Sequence, residues 1–454
     1  MNNRIYADAV FLNGHIVTVD KTFSIAEAVA VRDGKILAVG KNEDILPLSG
    51  PQTDRIDLQG RTMLPGINDV HIHLALGGYC LLHGGKQEAV LTIQTQCTTE
   101  EIRKAYEAMF QYLLQRGVTS VTDGELGPRY NNERGGLAGS RSIGVLNDMM
   151  NEGSLPLRVG VMFSLGRNRG EDASLEWLSD RLPNLGWHSG FGNEWLRITG
   201  LKLFADGATG MKTALNYENY PDGTNGRLKY VGQTDEARHD ELVKIVCLAH
   251  RCGFRVGIHC CGDKAVDAVA DAYIAAQQEI PSESRDYFIH GDLITKECIE
   301  RISHYSLGYS AFIPTLWAMG NDLKRAVPEQ RRKHIYPLKS LMKAGVVCTA
   351  HTDFPFSLTD WRLGMQCCVL RQAVEGTEVW GTEEAISVED AIKLYTINAA
   401  WQTGEENIKG SIEVGKLADF CVLGEDILTM DPHRIKDVPV AMTVVDGKIA
   451  YSAQ

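Results

Sequence analysis

What this chain is short of narrows its function before any motif is read. It carries no basic excess: 46 Lys and Arg stand against 58 Asp and Glu, a formal charge of −12. Nothing neutralises phosphate in bulk, which argues against nucleic acid or an anionic membrane surface as a partner. No apolar run approaches the roughly 18 residues needed to span a bilayer. The opening MNNRIYADAVFLNG lacks a basic head followed by an apolar stretch, so no secretion signal is expected. The 11 cysteines contain no CxxC, and the adjacent pairs Cys260–Cys261 and Cys367–Cys368 sit inside apolar segments. Reduced, buried thiols in a cytoplasmic protein are expected, and a disulfide framework or zinc knuckle is not. There is no internal repeat, no low-complexity linker and no GxGxxG turn of a dinucleotide-binding sheet.

What is present suits a large globular chain. At 454 residues, 44% hydrophobic and 23% charged, the sequence can build one large core with a smaller satellite. Residues 1–61 read as short strands, with Asp33-Gly34 between alternating apolar residues as a hairpin signal. Residues 405–454 read alike, with a second such turn at Asp446-Gly447. Neither end is long enough to fold well alone, so the two are expected to pair into one small β-sandwich.

Residues 62–404 alternate strands with helices. Eight strands are expected, over Thr62–His73, Val118–Glu125, Leu157–Leu165, Ile198–Asp206, Arg255–Gly262, Tyr287–Leu293, Leu307–Thr315 and Val346–Phe354. Helices are expected from Thr98 or Thr99 to Arg116, over Asp235–Arg251, Asp263–Gln278 and Ser387–Thr403. Eight such units predict an α/β fold of the (β/α)₈ barrel type, whose catalytic groups lie at the C-terminal strand ends.

Those ends carry His71 and His73, Lys202, His259, His290 and Asp353. In His71-Ile72-His73 the two imidazoles point to one face, as i and i+2 on a strand must, and can share an ion. His259 and His290 each follow apolar residues; each is either a ligand or a hydrogen-bonded core histidine. A carboxylate such as Asp353 at a buried strand end needs a cation or donors, and a metal or a capping role would supply them. Lys202 offers only donors. Either it pairs with Asp206 or another carboxylate, or its amine has added carbon dioxide to form a carbamate able to bridge two cations. Asp206 and Asp263 could orient ligands from behind, or Asp263 could cap its helix. His351, two residues from Asp353, could face the same cavity or be a plain buried histidine. Trp317, Phe312, Phe354 and Phe356 suit an apolar pocket or barrel packing, and Arg167 and Arg169 could hold a substrate carboxylate.

The stretches LPGINDVHIHL, GLKLFADGATGMKTA, GIHCCGDKAVDAV, FIHGDL and HTDFPFS, with the tail GSIEVGKLADFCVLGEDIL, resemble the amidohydrolase superfamily. The resemblance spans nearly the whole chain and points to the branch of N-substituted formamide deformylases and related N-acyl amide hydrolases. It implies a metal-dependent hydrolase of carbon–nitrogen bonds in small molecules, using one or two zinc or similar divalent ions. It further implies that His71 and His73 bind one ion and His259 and His290 the other. Lys202, carboxylated, would bridge them, and Asp353 would ligate the first ion and shuttle a proton. The chain is shorter than that branch leads one to expect, and His351 stands where a small residue is usual. A mononuclear deaminase of a nucleobase-like ring would use His71, His73, His259 and Asp353 on one ion, with His290 orienting water. A non-catalytic regulatory protein would be expected to have lost ligands, and this chain keeps them. A homodimer is the default oligomer.

Overall fold

Buried on both faces, the apolar runs of the central region pair as parallel strands, as fully covered sheets do. The computed structural model describes residues 6–85, 97–127, 139–165, 172–281 and 285–453. Its central sheet has eight parallel strands in chain order: Ile67–Ile72, Val118–Leu126, Arg158–Phe163, Leu196–Phe204, Val256–Cys260, Tyr287–His290, Gly308–Ala311 and Cys348–Ala350. The seam closes just beyond the eighth strand, where the Asp353 N–H donates to the His71 carbonyl at 3.0 Å and the His73 N–H to the Phe354 carbonyl at 2.9 Å. This is the expected barrel.

Local chemistry sets its helices. Thr98 caps Thr99–Leu114 in a reciprocal box: its hydroxyl accepts from the Glu101 N–H, and the Glu101 carboxylate accepts from the Thr98 N–H at 2.7 Å. Ile102, Tyr106, Met109, Phe110 and Leu113 form its buried stripe. Asp235–Arg251 spans the expected residues, with Thr234 capping it and His250 and Arg251 in its last turn. Ser387–Thr403 is instead two helices, Val388–Leu394 and Ile397–Thr403. The Tyr395 carbonyl between them accepts from the Asn68 N–H of the first barrel strand at 2.8 Å, which draws it out of the helical ladder.

The chain ends form the sandwich. One sheet orders Lys35–Gly40, Ala28–Arg32, Ala7–Leu12 and Ser49–Asp57. The other orders Lys448–Ser452, Val440–Val445, Phe420–Leu423, Thr62–Pro65, His15–Val17 and Ile25–Ala26. Both Asp-Gly turns make hairpins, pairing Arg32 with Lys35 and Val445 with Lys448. Phe11, Val29, Met63, Phe420 and Val422 fill the space between the sheets, with the Phe11 and Phe420 rings edge to face at 5.6 Å.

One expected strand proves to be two. Thr62–Pro65 belongs to the sandwich and Ile67–Ile72 to the barrel. The apolar run is continuous, but its partner changes at Gly66, whose N–H donates to the Asp419 carbonyl at 2.8 Å. Likewise, the alternating stretch from Ala9 to Asp20 divides between the two sheets, as Ala7–Leu12 and His15–Val17. Among the described residues no helix is long and apolar enough to cross a membrane.

Candidate metal centre

The first barrel strand turns both His71 and His73 toward the C-terminal mouth. Asp353, from just beyond the last strand, meets them there: its Oδ1 lies 3.1 Å from His73 Nε2 and 3.5 Å from His71 Nε2. One ligand atom from each of the three lies within 4.8 Å of the others, and all three side chains are buried. The His71 ring sits where a side chain on Gly124 would collide with it, since an added Cβ would come within 2.1 Å of Cε1. Glycine at 124 on the second strand is what lets the imidazole lie flat against the barrel wall.

His259 and His290 complete a ring of imidazoles. Their centroids are 4.5 Å apart, and His290 is 5.8 Å from His71. His259 Nε2 lies 2.8 Å from the Gly207 carbonyl, which can only accept, so Nε2 carries the proton. Burial, then the Lys202 charge, push its pKa down to about 3. The ring is therefore neutral and its Nδ1 lone pair is bare, as a metal ligand requires. Burial also holds His71 and His290 well below the ordinary histidine value, with Lys202 among the charges that add to the effect.

Asp353 feels burial most strongly, which would raise its pKa, but the His73 hydrogen bond and the neighbouring positive charges outweigh it and keep the carboxyl ionised. Both His290 (φ 74°) and Asp353 (φ 52°) adopt left-handed backbone conformations. Such conformations are costly for residues with side chains and cluster at functional sites. Lys202 is buried on the fourth strand, with Nζ 4.9 Å from the Phe204 ring centre.

The donors fit a divalent ion. His71 and His290 each leave Nδ1 buried without a hydrogen-bond partner among the described residues, and ligand atoms of His71, His73 and Asp353 lie within 4.8 Å of one another. Imidazole nitrogen with carboxylate oxygen is the donor set that suits zinc and similar ions. A second group of close donors, Asp206, His259 and Cys261, does not fit. Asp206 already accepts from the N–H groups of Leu215, Cys261 and Gly262 at 2.9–3.0 Å.

Several expected roles are corrected. Asp206 braces the backbone after the fifth strand and makes no hydrogen bond to an imidazole among the described residues; the Gly207 carbonyl orients His259 instead. Asp263 neither orients a ligand nor occupies the cap position, which is Gly262. It accepts from the Tyr217 and Lys264 N–H groups and pairs with Arg331 at 2.5 Å. His351 is fully buried and does not line the cavity, so it does not meet substrate; it stacks on Phe312 with Nδ1 3.0 Å from Ser310 Oγ, and its ring packs edge-on against His71 at 5.0 Å and His290 at 5.2 Å. Trp317 packs over Gly376 and borders a neighbouring hollow, not the main cavity. Phe312 and Phe356 do line the cavity, whereas Phe354 is buried against Tyr112. Arg167 and Arg169 lie outside the described residues.

Other residues escaped sequence reading. Asp69 on the first strand accepts from the Thr352 hydroxyl at 2.5 Å and N–H at 3.2 Å, fixing the loop that carries Asp353. Asp123 on the second strand accepts from the Leu74 N–H at 3.0 Å and holds the turn after His73. The signal was available as acidic residues inside apolar strands, but spacing does not say what they hold.

Above the imidazoles opens a cavity of about 1280 Å³. Its size suits a small-molecule substrate.

Comparison with known proteins agrees with this architecture. Residues 80–451 match the amidohydrolase family. The chain is 31% identical over 264 residues to the amidohydrolase YtcJ of Bacillus subtilis, an alignment covering 55% of this chain and 46% of that one, so it spans about half of that relative. It is 22% identical to the N-substituted formamide deformylase of Arthrobacter pascens, over 98% of both chains. A metal-dependent hydrolase from Pyrococcus furiosus shares the fold with a TM-score of 0.74 at 22% identity, covering 93% of this chain and all of that one. With the family matched across most of its length, this chain belongs to the amidohydrolase family.

Proposed function

We propose that the protein hydrolyses an amide-type bond of a small molecule, N-acyl, N-formyl or cyclic, with Asp353 as general base and then general acid. The observation that carries this reading is the convergence of His71, His73 and Asp353 at the buried floor of the cavity. His71 and His73 would hold one divalent ion with Asp353, and His259 and His290 a second, with a carboxylated Lys202 between them. Zinc fits these donors. A bound ion supplies an acidified water and polarises the carbonyl to be attacked. Asp353, ionised and in contact with both first-strand histidines, takes the proton of the attacking water. It then returns that proton to the leaving nitrogen, which departs as an amine. Phe312 and Phe356 give the wall beside His290 and His73 an apolar face.

A second reading, deamination at a single ion, is favoured by one observation: among the described residues the ligand atoms of His71, His73 and Asp353 lie within 4.8 Å of one another, and His290 joins no such group. Purified protein tested on N-acyl, N-formyl and cyclic amides should cleave at least one class with amine release, contain about one to two equivalents of metal, and lose turnover with a strong chelator. Ammonia release from ring amines without amide cleavage would favour the single-ion reading. Undiminished turnover after chelation, with no metal found, would remove both.

A further inference from the structure

Most charged side chains of the cavity wall are already answered. Asp172 pairs with Arg227 at 2.9 Å, Asp322 with Arg325, and Asp292 accepts from the Tyr336 hydroxyl at 2.7 Å. Arg181 lies with its guanidinium 3.2 Å from the Trp177 ring centre and donates to the Trp177 carbonyl. Lys229 is different. It lines the same cavity half-buried, and its ammonium makes no hydrogen bond or ion pair among the described residues.

The backbone around Lys229 is fixed. Its N–H donates to the Ala205 carbonyl at 2.8 Å, its carbonyl accepts from the Ala173 N–H at 2.9 Å, and the Val231 N–H donates to the Ala173 carbonyl at 3.0 Å. Residues 228–231 thus run extended, and side chains alternate as they must in such a segment. Leu228 and Tyr230 are buried in the core, while Lys229 and Val231 line the cavity. Ala205, whose carbonyl takes the Lys229 N–H, itself donates to the His259 carbonyl at 2.7 Å, so the segment runs beside the strand that carries His259. A cation without a partner among the described residues, held on a braced segment beside the candidate metal centre, is placed to meet an anion on the substrate.

We propose that Lys229 anchors a carboxylate of the substrate, so that the amides this enzyme prefers are those of acids, such as N-acyl amino acids, with the carboxylate reaching the 229–231 segment while the amide lies over Asp353. This rests on the amide-hydrolase reading above. Selectivity comes from the pairing: a substrate without the carboxylate gains nothing at Lys229.

The test compares N-acyl-phenylalanine with N-acyl-phenethylamine, which lacks only the carboxylate, on the metal-loaded wild type, Lys229→Met, Lys229→Arg and Lys229→Glu. Metal content and Tm serve as checks that each variant is intact. Binding of the acid and of the neutral compound is measured by calorimetry alongside turnover. The wild type should favour the acid through KM, by about 10- to 100-fold, the range of a hydrogen bond to a charged group. Lys229→Met should erase that preference, Lys229→Arg keep most of it, and Lys229→Glu reverse it. Equal handling of both compounds by the wild type, or a preference that survives Lys229→Met and Lys229→Glu, would overturn the anchor. If neither amide is cleaved yet the acid binds in a Lys229-dependent way, the hydrolase reading fails while the anchor stands. If neither is cleaved and the acid does not bind, the anchor falls too.

Discussion

Arg158, at the start of the third barrel strand, grips Asp419 of the sandwich through two hydrogen bonds, Nε to Oδ2 at 2.6 Å and Nη2 to Oδ1 at 3.0 Å. Both side chains are buried, and Asp419 also accepts from the Asp446 N–H at 2.9 Å. The pair thus ties the barrel to the hairpin of the C-terminal segment. Arg158→Met should cost about 3–5 kcal/mol in urea unfolding, because Asp419 is left buried without its partner. Arg158→Met combined with Asp419→Leu should recover part of that loss. Additive losses in the double variant would show that the two residues act independently.

Asp353→Asn should lower kcat by at least about 100-fold, since an amide cannot take and return a proton. Metal content by elemental analysis should remain near that of the wild type, because four imidazoles stay in place. A near-normal rate at saturating substrate would take the proton-transfer role away from Asp353.

Lys202→Ala should lose the bridge between two ions and most activity, and short-chain carboxylates added to the assay should restore a part. At an effective dielectric of about 20, an unmodified ammonium 4 Å from one dication is disfavoured by several kcal/mol. Mass spectrometry under native conditions should find one added carbon dioxide on the wild type and none on Lys202→Ala. Full activity with a bare lysine and one ion would promote the mononuclear reading.

Asp20 organises the turn entering the Ile25–Ala26 strand: its carboxylate accepts from Thr22 N–H at 2.9 Å, Ser24 N–H at 3.0 Å and Ser24 Oγ at 2.6 Å. Burial acts against ionisation, but these bonds outweigh it and lower the pKa from 3.8 to about 2. A depressed carboxylate stabilises the fold above its unfolded value and loses that contribution as the pH falls from 3.8 toward 2. Asp20→Ala should therefore lower stability by about 0.5–1 kcal/mol at neutral pH, and the gap from wild type should close over that acid window. A gap unchanged at pH 2 would show that the ionised carboxylate is not what stabilises the turn.

The barrel was legible because its strands are separated by strong helix signals: the Thr98 box and the acidic start of Asp235–Arg251 fixed two helices closely. The meeting of His71, His73 and Asp353 was foreshadowed by their places at the first and last strand ends, which a closed barrel brings side by side. What stayed hidden depends on distant backbone. Asp206 and Asp263 read as site residues from their proximity in sequence to Lys202 and His259, yet their oxygens are taken up by N–H groups of residues 215–217 and 261–264. His351 sits two residues from Asp353, but the left-handed turn at Asp353 breaks the strand alternation that would have put both in the cavity. Lys229 had no motif at all; only the folded path of 228–231 gives it meaning.

The strand Thr62–Pro65 pairs on one side with His15–Val17 and on the other with Phe420–Leu423. Near this junction Thr62 Oγ1 reaches Asp426 Oδ1 at 3.4 Å, across 364 positions of sequence. During synthesis the early strands emerge long before their neighbour exists, so for most of translation one edge of Thr62–Pro65 is unpaired. Such an edge is a template for another chain until it is covered. Contacts this remote in sequence also form slowly. Aggregation during expression should therefore originate at residues 62–65, and the emergence of Phe420–Leu423, not completion of the barrel, sets when that edge closes.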